Sequence, residues 1–277
     1  MRDLTGRAAV VTGGAGGIGL ALGRAFLAQG MRVVLADVEE QALDKAASDL
    51  GAVGIVADVT SAESMRRLAD EVFGLYGAVH VLCNNAGIGP SAAGPMWEQE
   101  TADWEWGLSV NVVGIVHGLR AFLPRMVAAG EPGHIVNTAS GNGGVAPIPS
   151  AAVYAVTKAA VVTLSECLFG QLKETGIGVS ALFPGPHMLK TGIFTAERNR
   201  PQRFARTGPG LPARSPEEIA AALRSFEFTS VEDVAAQVVE GIRENRFWIL
   251  PPGEQTDATI RARAQSMLDR FNPDYLR

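Results

Sequence analysis

The chain has 277 residues, a formal net charge of −5 at pH 7, 47% hydrophobic and 19% charged residues. That balance excludes a disordered chain and suffices for one large buried core. A pI near 5.5 with no Lys/Arg block excludes a nucleic-acid footprint. The two cysteines, Cys83 and Cys167, sit in apolar runs and read as buried thiols, so neither a disulfide framework nor a metal cluster is expected. The N-terminus is charged from Arg2 onward and carries no apolar signal core, and no uninterrupted apolar stretch reaches membrane-spanning length. A soluble, cytoplasmic protein without a membrane or nucleic-acid partner is the expectation.

Short β-branched runs alternate with helical patterns along the chain. Ala8 to Thr12 reads as a strand, Ile18 to Gln29 as a helix, Arg32 to Ala36 as a strand and Glu39 to Leu50 as a helix. Strand Ala52 to Ala57, helix Ser61 to Tyr76 and strand Val79 to Cys83 follow. A long helix is predicted over Thr101 to Ala129, then strand His134 to Thr138, helix Ser150 to Glu174 and strand Gly178 to Phe183. Helix Val231 to Arg243 and strand Arg246 to Leu250 close the series. The strands are almost continuously apolar, as strands covered on both faces are. Strand–helix alternation at this spacing implies right-handed βαβ units, hence one α/β domain over residues 1–277 with a doubly wound parallel sheet and helices on both faces. Two regions break the rhythm. Residues 186–215 read as a lid or a disordered insertion, and the tail from about 251 carries a docking helix over Thr259 to Phe271.

Thr12-Gly13-Gly14-Ala15-Gly16-Gly17-Ile18-Gly19 follows the first strand. Absent Cβ atoms let backbone approach a pyrophosphate at a helix N-terminus, where free N–H groups point outward. Asp37 ends the second strand, where an acid accepts hydrogen bonds from ribose hydroxyls and repels a 2′-phosphate. No Lys or Arg in the glycine turn compensates, and Val38 and Glu39 follow, so NAD is favoured over NADP. Asp58-Val59 after the third strand reads either as an adenine contact or as a turn.

Tyr154 and Lys158 lie four apart on a predicted helix and share a face. A cation favours tyrosinate, whereas burial alone raises a phenol's pKa. Ser140 follows the strand ending at Thr138, at the carboxyl edge where open parallel sheets bind ligands. Asn84 and Asn85 read first as structural amides, and Asn111, unfavourable inside a helix, implies a water or backbone partner.

Together, Thr12-Gly13-x-x-x-Gly17-x-Gly19, Asn84-Asn85-Ala86-Gly87, Asn111, Ser140, Tyr154-x-x-x-Lys158 and Pro184-Gly185 resemble the short-chain dehydrogenase/reductase family over the whole chain. The resemblance implies a Rossmann-like sheet of about seven parallel strands and hydride transfer between a nicotinamide and a secondary alcohol or ketone. It implies Tyr154 as general acid/base, Ser140 on the reacting oxygen, Lys158 lowering the tyrosine pKa and binding the nicotinamide ribose, and Asn111 positioning a proton-relay water. Gly13, Gly16, Gly17, Ile18, Gly19, Asp37, Asp58, Val59, Asn85, Ala86 and Gly87 would line the cofactor, with Pro184-Gly185 beside the nicotinamide and Thr191 on its carboxamide. By the same analogy the long helices 101–129 and 150–174 pair subunits into a homodimer or homotetramer.

Two departures stand out. Thirteen residues separate Ser140 from Tyr154, one more than the family pattern implies, and Gly141-Asn142-Gly143-Gly144 replaces bulkier residues, which predicts a roomy or mobile pocket floor. His187, Met188 and Phe194 of the lid are candidate substrate contacts, with Met96 and Trp97 at the same sheet edge. They favour a bulky, possibly aromatic substrate. Segments 134–140 and 199–204 resemble a bacterial subgroup that includes Cα-dehydrogenases of lignin-derived aryl ethers. Arg198, Arg200, Arg203 and Arg206 read as solvated surface, or as contacts to an acidic substrate. His80, His117 and His134 read as packing residues, and no metal spacing occurs. The expected activity is an NAD-dependent alcohol dehydrogenase. A biosynthetic ketoreductase and a non-catalytic dinucleotide-binding regulator are the alternatives.

Overall fold

A computed structural model describes residues 1–89, 95–189, 191–208 and 227–276. Part of the expected lid, at 190 and 209–215, and the side chain of Phe194 lie outside what is described. Seven parallel strands form one sheet: β1 Ala8–Thr12, β2 Arg32–Asp37, β3 Val53–Val56, β4 Val81–Asn84, β5 Gly133–Thr138, β6 Ile177–Leu182 and β7 Trp248–Ile249. Their spatial order is β3-β2-β1-β4-β5-β6-β7. The order reverses between β1 and β4, so the crevice for a ligand opens at the carboxyl ends of those two strands.

β1 is buried along its whole length, as are β4 and β5, which suits the apolar Ala8–Val11, Val81–Cys83 and Ile135–Val136; the polar residues His134, Asn137 and Asn84 are buried with them. One face is covered by α1 Gly17–Ala28, α2 Glu40–Leu50 and α7 Val231–Glu244, whose Leu22, Phe26, Leu43 and Val238 pack on Val11 and Val33. The other face carries α3 Ala62–Tyr76, α4 Thr101–Leu108, α5 Gly114–Ala129 and α6 Ala152–Gln171. There Met65, Val72, Phe122 and Leu168 pack on Val10, Leu82 and Ile135. α5 comes so close to β4 that a Cβ at Gly118 would lie 2.4 Å from Asn84 Oδ1.

Element boundaries follow local chemistry. Ser61 caps α3 by accepting from the Ser64 N–H at 3.2 Å, and Ser230 caps α7 through Asp233 N–H at 3.0 Å. α2 and α5 stop at Gly51 and Gly130, both in the left-handed region. The predicted helix 101–129 is continuous but contains a π-helical turn, Ser109–Val113, centred on Asn111. The last strand is shorter than predicted because only Trp248 and Ile249 pair with β6.

Two expectations are corrected here. Cys167 is exposed on α6, not buried, although Cys83 is buried in β4. Residues 101–129 and 149–171 form helices that are, by length and composition, apolar enough to cross a membrane. In this fold their inner faces cover the sheet. The tail forms α8 Glu254–Asp269, five residues earlier than predicted. Its half-buried stripe, Thr256, Thr259, Arg263 and Ser266, is polar, while Met267, Leu268 and Phe271 are exposed.

Phe122 is fully buried between α5 and α3, its ring centroid 6.0 Å from that of Phe73. Phe122→Ala is expected to lower unfolding free energy by about 3–5 kcal/mol, read from denaturant titration.

Candidate active site

Thr12 Oγ1 accepts from the backbone N–H of Asn85 (3.0 Å) and Ala86 (3.1 Å), and the Asn85 amide donates to the Thr12 carbonyl at 3.0 Å. Asn84 donates to Asn137 Oδ1 at 2.9 Å. Both amides therefore hold strand ends together. Beyond Thr12, Gly13 and Gly17 adopt φ of 67° and 53°, and a Cβ at Gly19 would fall 2.0 Å from the Gly13 carbonyl oxygen. Gly16 caps α1 without a side-chain bond, and nothing lies within 4 Å of its Cβ position. Ile18 packs half-buried against the core behind it. The α1 start is thus uncapped and open at Gly16, as an anion-binding helix start requires.

Asp37 stands beside this cradle. Its Oδ2 accepts from Ala15 N–H at 3.0 Å and its Oδ1 from Glu39 N–H at 3.1 Å. A carboxylate has about four acceptor directions, so capacity for a diol remains. Asp58 closes a turn by accepting from Thr60 N–H (2.9 Å) and Oγ1 (2.7 Å), and Val59 packs on Gly114. The turn reading of that pair is the one the hydrogen bonds support. An uncapped helix start, an open Gly16 and an acid at the end of β2 fit a dinucleotide.

At the β5 end, Ser140 accepts from Asn142 N–H at 3.2 Å, and its hydroxyl is near enough to Tyr154 to oppose the rise in the phenol's pKa. Lys158, buried on α6, donates from Nζ to the Thr138 carbonyl at 2.8 Å, with Nζ 5.6 Å from the Tyr154 ring centroid. Burial pulls the Lys158 pKa down to about 8. Burial also raises the Tyr154 pKa, and Ser140 opposes that only in part. In this state the ammonium is directed at a backbone carbonyl. Asn111 is fully buried: its Oδ1 accepts from Ile88 N–H (2.8 Å), and its Nδ2 donates to the Ile88 carbonyl (2.9 Å) and Thr157 Oγ1 (2.9 Å). The backbone partner anticipated for it is Ile88. A Cβ at Gly87 would lie 3.4 Å from both Asn111 Oδ1 and Lys158 Nζ, so these groups converge on one strand end.

The glycines after Ser140 do not make a roomy floor. A Cβ at Gly143, where φ is 93°, would fall 2.0 Å from the Ala155 carbonyl oxygen, and one at Gly144 would lie 2.5 Å from the Phe183 ring. They are small because the loop is pressed against α6 and β6. Pro184 and Gly185 leave β6 at the same edge. Thr191 rests on the glycine turn, its Cγ2 3.1 Å from a Cβ built at Gly17. His187 is tied to residues 227–229. Its backbone N–H donates to Thr229 Oγ1 (3.0 Å) and its ring meets Glu227 at 3.3 Å, while the Met188 carbonyl accepts from Thr229 N–H at 2.9 Å.

Of the lid arginines, Arg198 and Arg203 are exposed as expected, whereas Arg200 and Arg206 are largely buried and ion-paired. Arg200 stacks over Trp106 and reaches Asp103 of α4 at 2.6 Å and Glu197 at 2.8 Å; Arg206 reaches Asp103 at 2.8 Å. Asp103 is buried, so this network fastens residues 197–206 to α4. Sequence reasoning missed Asp103 and Thr157, which donates to the Tyr154 carbonyl at 2.8 Å. Neither carried a motif; Asp103 depends on Arg200 and Arg206, and Thr157 on Asn111, all distant in the chain. Among the described residues no cluster of His, Cys, Asp and Glu could hold a metal.

Residues 7–202 match the family model of the short chain dehydrogenases. The chain is 34% identical over 99% of its length to a C alpha-dehydrogenase of Sphingobium sp., covering 89% of that protein. It is 36% identical over 94% of its length to 1-deoxy-11-beta-hydroxypentalenate dehydrogenase of Streptomyces exfoliatus, covering 86% of it. Among solved structures, a short chain dehydrogenase/reductase of Burkholderia phymatum in complex with NAD superposes with a TM-score of 0.88 at 37% identity, covering 99% of this chain and 98% of the other. The fold and site define a dinucleotide-binding oxidoreductase, and these matches identify its kind. The chain belongs to the short-chain dehydrogenase/reductase family, and the resemblance to the Cα-dehydrogenase subgroup holds over nearly its full length.

The Lys158 pKa is depressed in the fold, so the native state binds fewer protons than the unfolded chain between about pH 8 and 10.5. Stability gains from this group as pH rises through that window, and the burial penalty is full below it. Lys158→Met is therefore expected to raise the unfolding midpoint of the cofactor-free protein at pH 7, by up to about 3 kcal/mol. The advantage should shrink when melting curves are repeated toward pH 10.

Proposed function

We propose that the chain is an NAD-dependent dehydrogenase of bulky, partly aromatic secondary alcohols, oxidising the carbinol to a ketone. The observation that carries this reading is the convergence of Ser140, Tyr154 and Lys158 at the β5 end of the cleft whose β2 end bears Asp37. NAD supplies the hydride acceptor. Gly13, Gly16, Gly17 and Gly19 cradle its pyrophosphate, Asp37 accepts from the adenosine ribose, and Asn85, Ala86 and Gly87 border the cofactor along β4. Ser140 holds the alcohol oxygen, and Tyr154 removes its proton. Lys158 supplies the positive charge that a phenolate needs in a dry site, once its ammonium turns from the Thr138 carbonyl. Asn111 keeps the Ile88 backbone and α6 in register with these groups.

NAD is supported by Asp37 and by the solved relative in complex with NAD, and an aromatic alcohol by the similarity to a C alpha-dehydrogenase. A ketoreductase would use the same groups in reverse. A regulator without turnover has no use for a buried ammonium that opposes folding. Outward-facing Val113, Val116, Val156 and Phe169 on α5, its π-helical turn and α6 are apolar and support the homodimer or homotetramer that the family resemblance implies.

Tyr154→Phe should lower kcat for NAD⁺ reduction by roughly a hundredfold or more, followed at 340 nm on a panel of benzylic aryl-ether alcohols, simple aliphatic alcohols and sugar alcohols. Preference for the benzylic members supports the substrate class, and turnover confined to sugar alcohols overturns it. Asp37→Ala should weaken NAD⁺ binding more than NADP⁺ binding in a fluorescence titration; a wild-type protein that already prefers NADP⁺ refutes the NAD assignment.

A further inference from the structure

The cation that the glycine turn lacks arrives from another part of the chain. Thr191 lies on Gly17, and the turn that follows, Gly192–Asn199, carries Arg198 across to the end of β2. There the Arg198 guanidinium forks onto the Glu39 carboxylate, with Nε on Oε2 at 3.1 Å and Nη2 on Oε1 at 2.5 Å. Asn199 Nδ2 adds a third bond to Glu39 Oε1 at 2.8 Å. The remaining nitrogen, Nη1, is spent on the Thr195 carbonyl (2.7 Å) and Thr195 Oγ1 (2.8 Å). Glu39 is in turn one hydrogen bond from Asp37, since its N–H donates to Asp37 Oδ1 at 3.1 Å. The guanidinium is thus brought to the strand end beside the ribose-binding acid, where a nearby arginine would otherwise accommodate a 2′-phosphate.

We infer that Glu39 is a coenzyme-specificity residue: by neutralising and occupying Arg198 beside Asp37, it denies a 2′-phosphate the cation that residues 191–199 bring to this edge. The inference rests on the proposed use of NAD and adds a second determinant to Asp37. The arrangement is matched one strand over, where Arg203 meets Asp58 at 3.5 Å and bonds Thr60 Oγ1. Both arginines that reach the β2–β3 edge from this segment are paired with acids already there. Stability does not account for the Glu39 pair. Its side chains are 29% and 44% exposed, and pairs open to solvent contribute little to folding. What the pair fixes is the charge an incoming adenosine meets, and a guanidinium fork suits phosphate as well as carboxylate.

Adenosine fragments test this without turnover. Calorimetric titrations with 5′-AMP and 2′,5′-ADP are compared for wild type, Glu39→Gln, Arg198→Ala and the Glu39→Gln/Arg198→Ala double variant, with melting curves to confirm folding. Glu39→Gln should bind 2′,5′-ADP roughly tenfold more tightly than wild type, with little change for 5′-AMP. The gain should disappear in the double variant and weaken with added salt. No gain in Glu39→Gln, a gain that survives loss of Arg198, or equal shifts for both fragments overturns the inference, the last because a mere anchor for the segment would move both. If wild type binds 2′,5′-ADP more tightly than 5′-AMP, the NAD reading itself fails, whatever the variants do.

Discussion

The site is organised around a charged amine taken out of water. Lys158 Nζ is buried on α6 and held by the last carbonyl of β5. Desolvation makes this costly, as its pKa near 8 records. Everything next to it limits that cost or uses it. The Thr138 carbonyl gives the ammonium a partner, Gly87 leaves it room, and Asn111 and Thr157 fix the turn of α6 from which it projects. A neutral phenol on the same helix face stands one turn away, with the Ser140 hydroxyl near it. Burial holds the phenol neutral in this fold, and negative charge introduced beside the desolvated cation is what would offset that penalty.

The sheet was legible from the sequence because local and global signals agree. Buried parallel strands carry apolar runs, and β1, β4 and the Ile135–Val136 centre of β5 could be read directly. Positions dictated by backbone approach were also visible: Gly13, Gly17 and Gly19 announce a turn that side chains would obstruct. The π-helical turn at Asn111 was not visible, since its cause is a buried amide bonding to Ile88, far away in sequence. Nor was the burial of Asp103 on α4, which depends on Arg200 and Arg206 arriving from residues 191–208. A charged residue in a helix reads as solvent-facing until its partner is known. Cys167 failed the other way: an apolar neighbourhood in sequence was taken for burial, yet α6 presents that position outward.

Residues 191–208 also change how the cleft is understood. A segment rich in arginine and proline looks like a loose cover in one dimension. In three dimensions it is fastened at the glycine turn by Thr191, at β2 by Arg198 and at α4 by Arg200 and Arg206. Its charges are compensated by acids at the ends of β2 and β3 and on α4, which fixes it along that side of the crevice.

The contact between Gly143 and Ala155 has a further meaning. With no room for even a methyl group between the loop after Ser140 and the first full turn of α6, serine and tyrosine are joined as one rigid jaw. The connecting stretch 145–149 is tied back where the Ile148 N–H donates to Asn142 Oδ1 at 2.8 Å. The gap between the two hydroxyls is thereby insulated from the length of chain connecting them, so insertions can reshape the mouth of the cleft while the reacting oxygens keep their spacing.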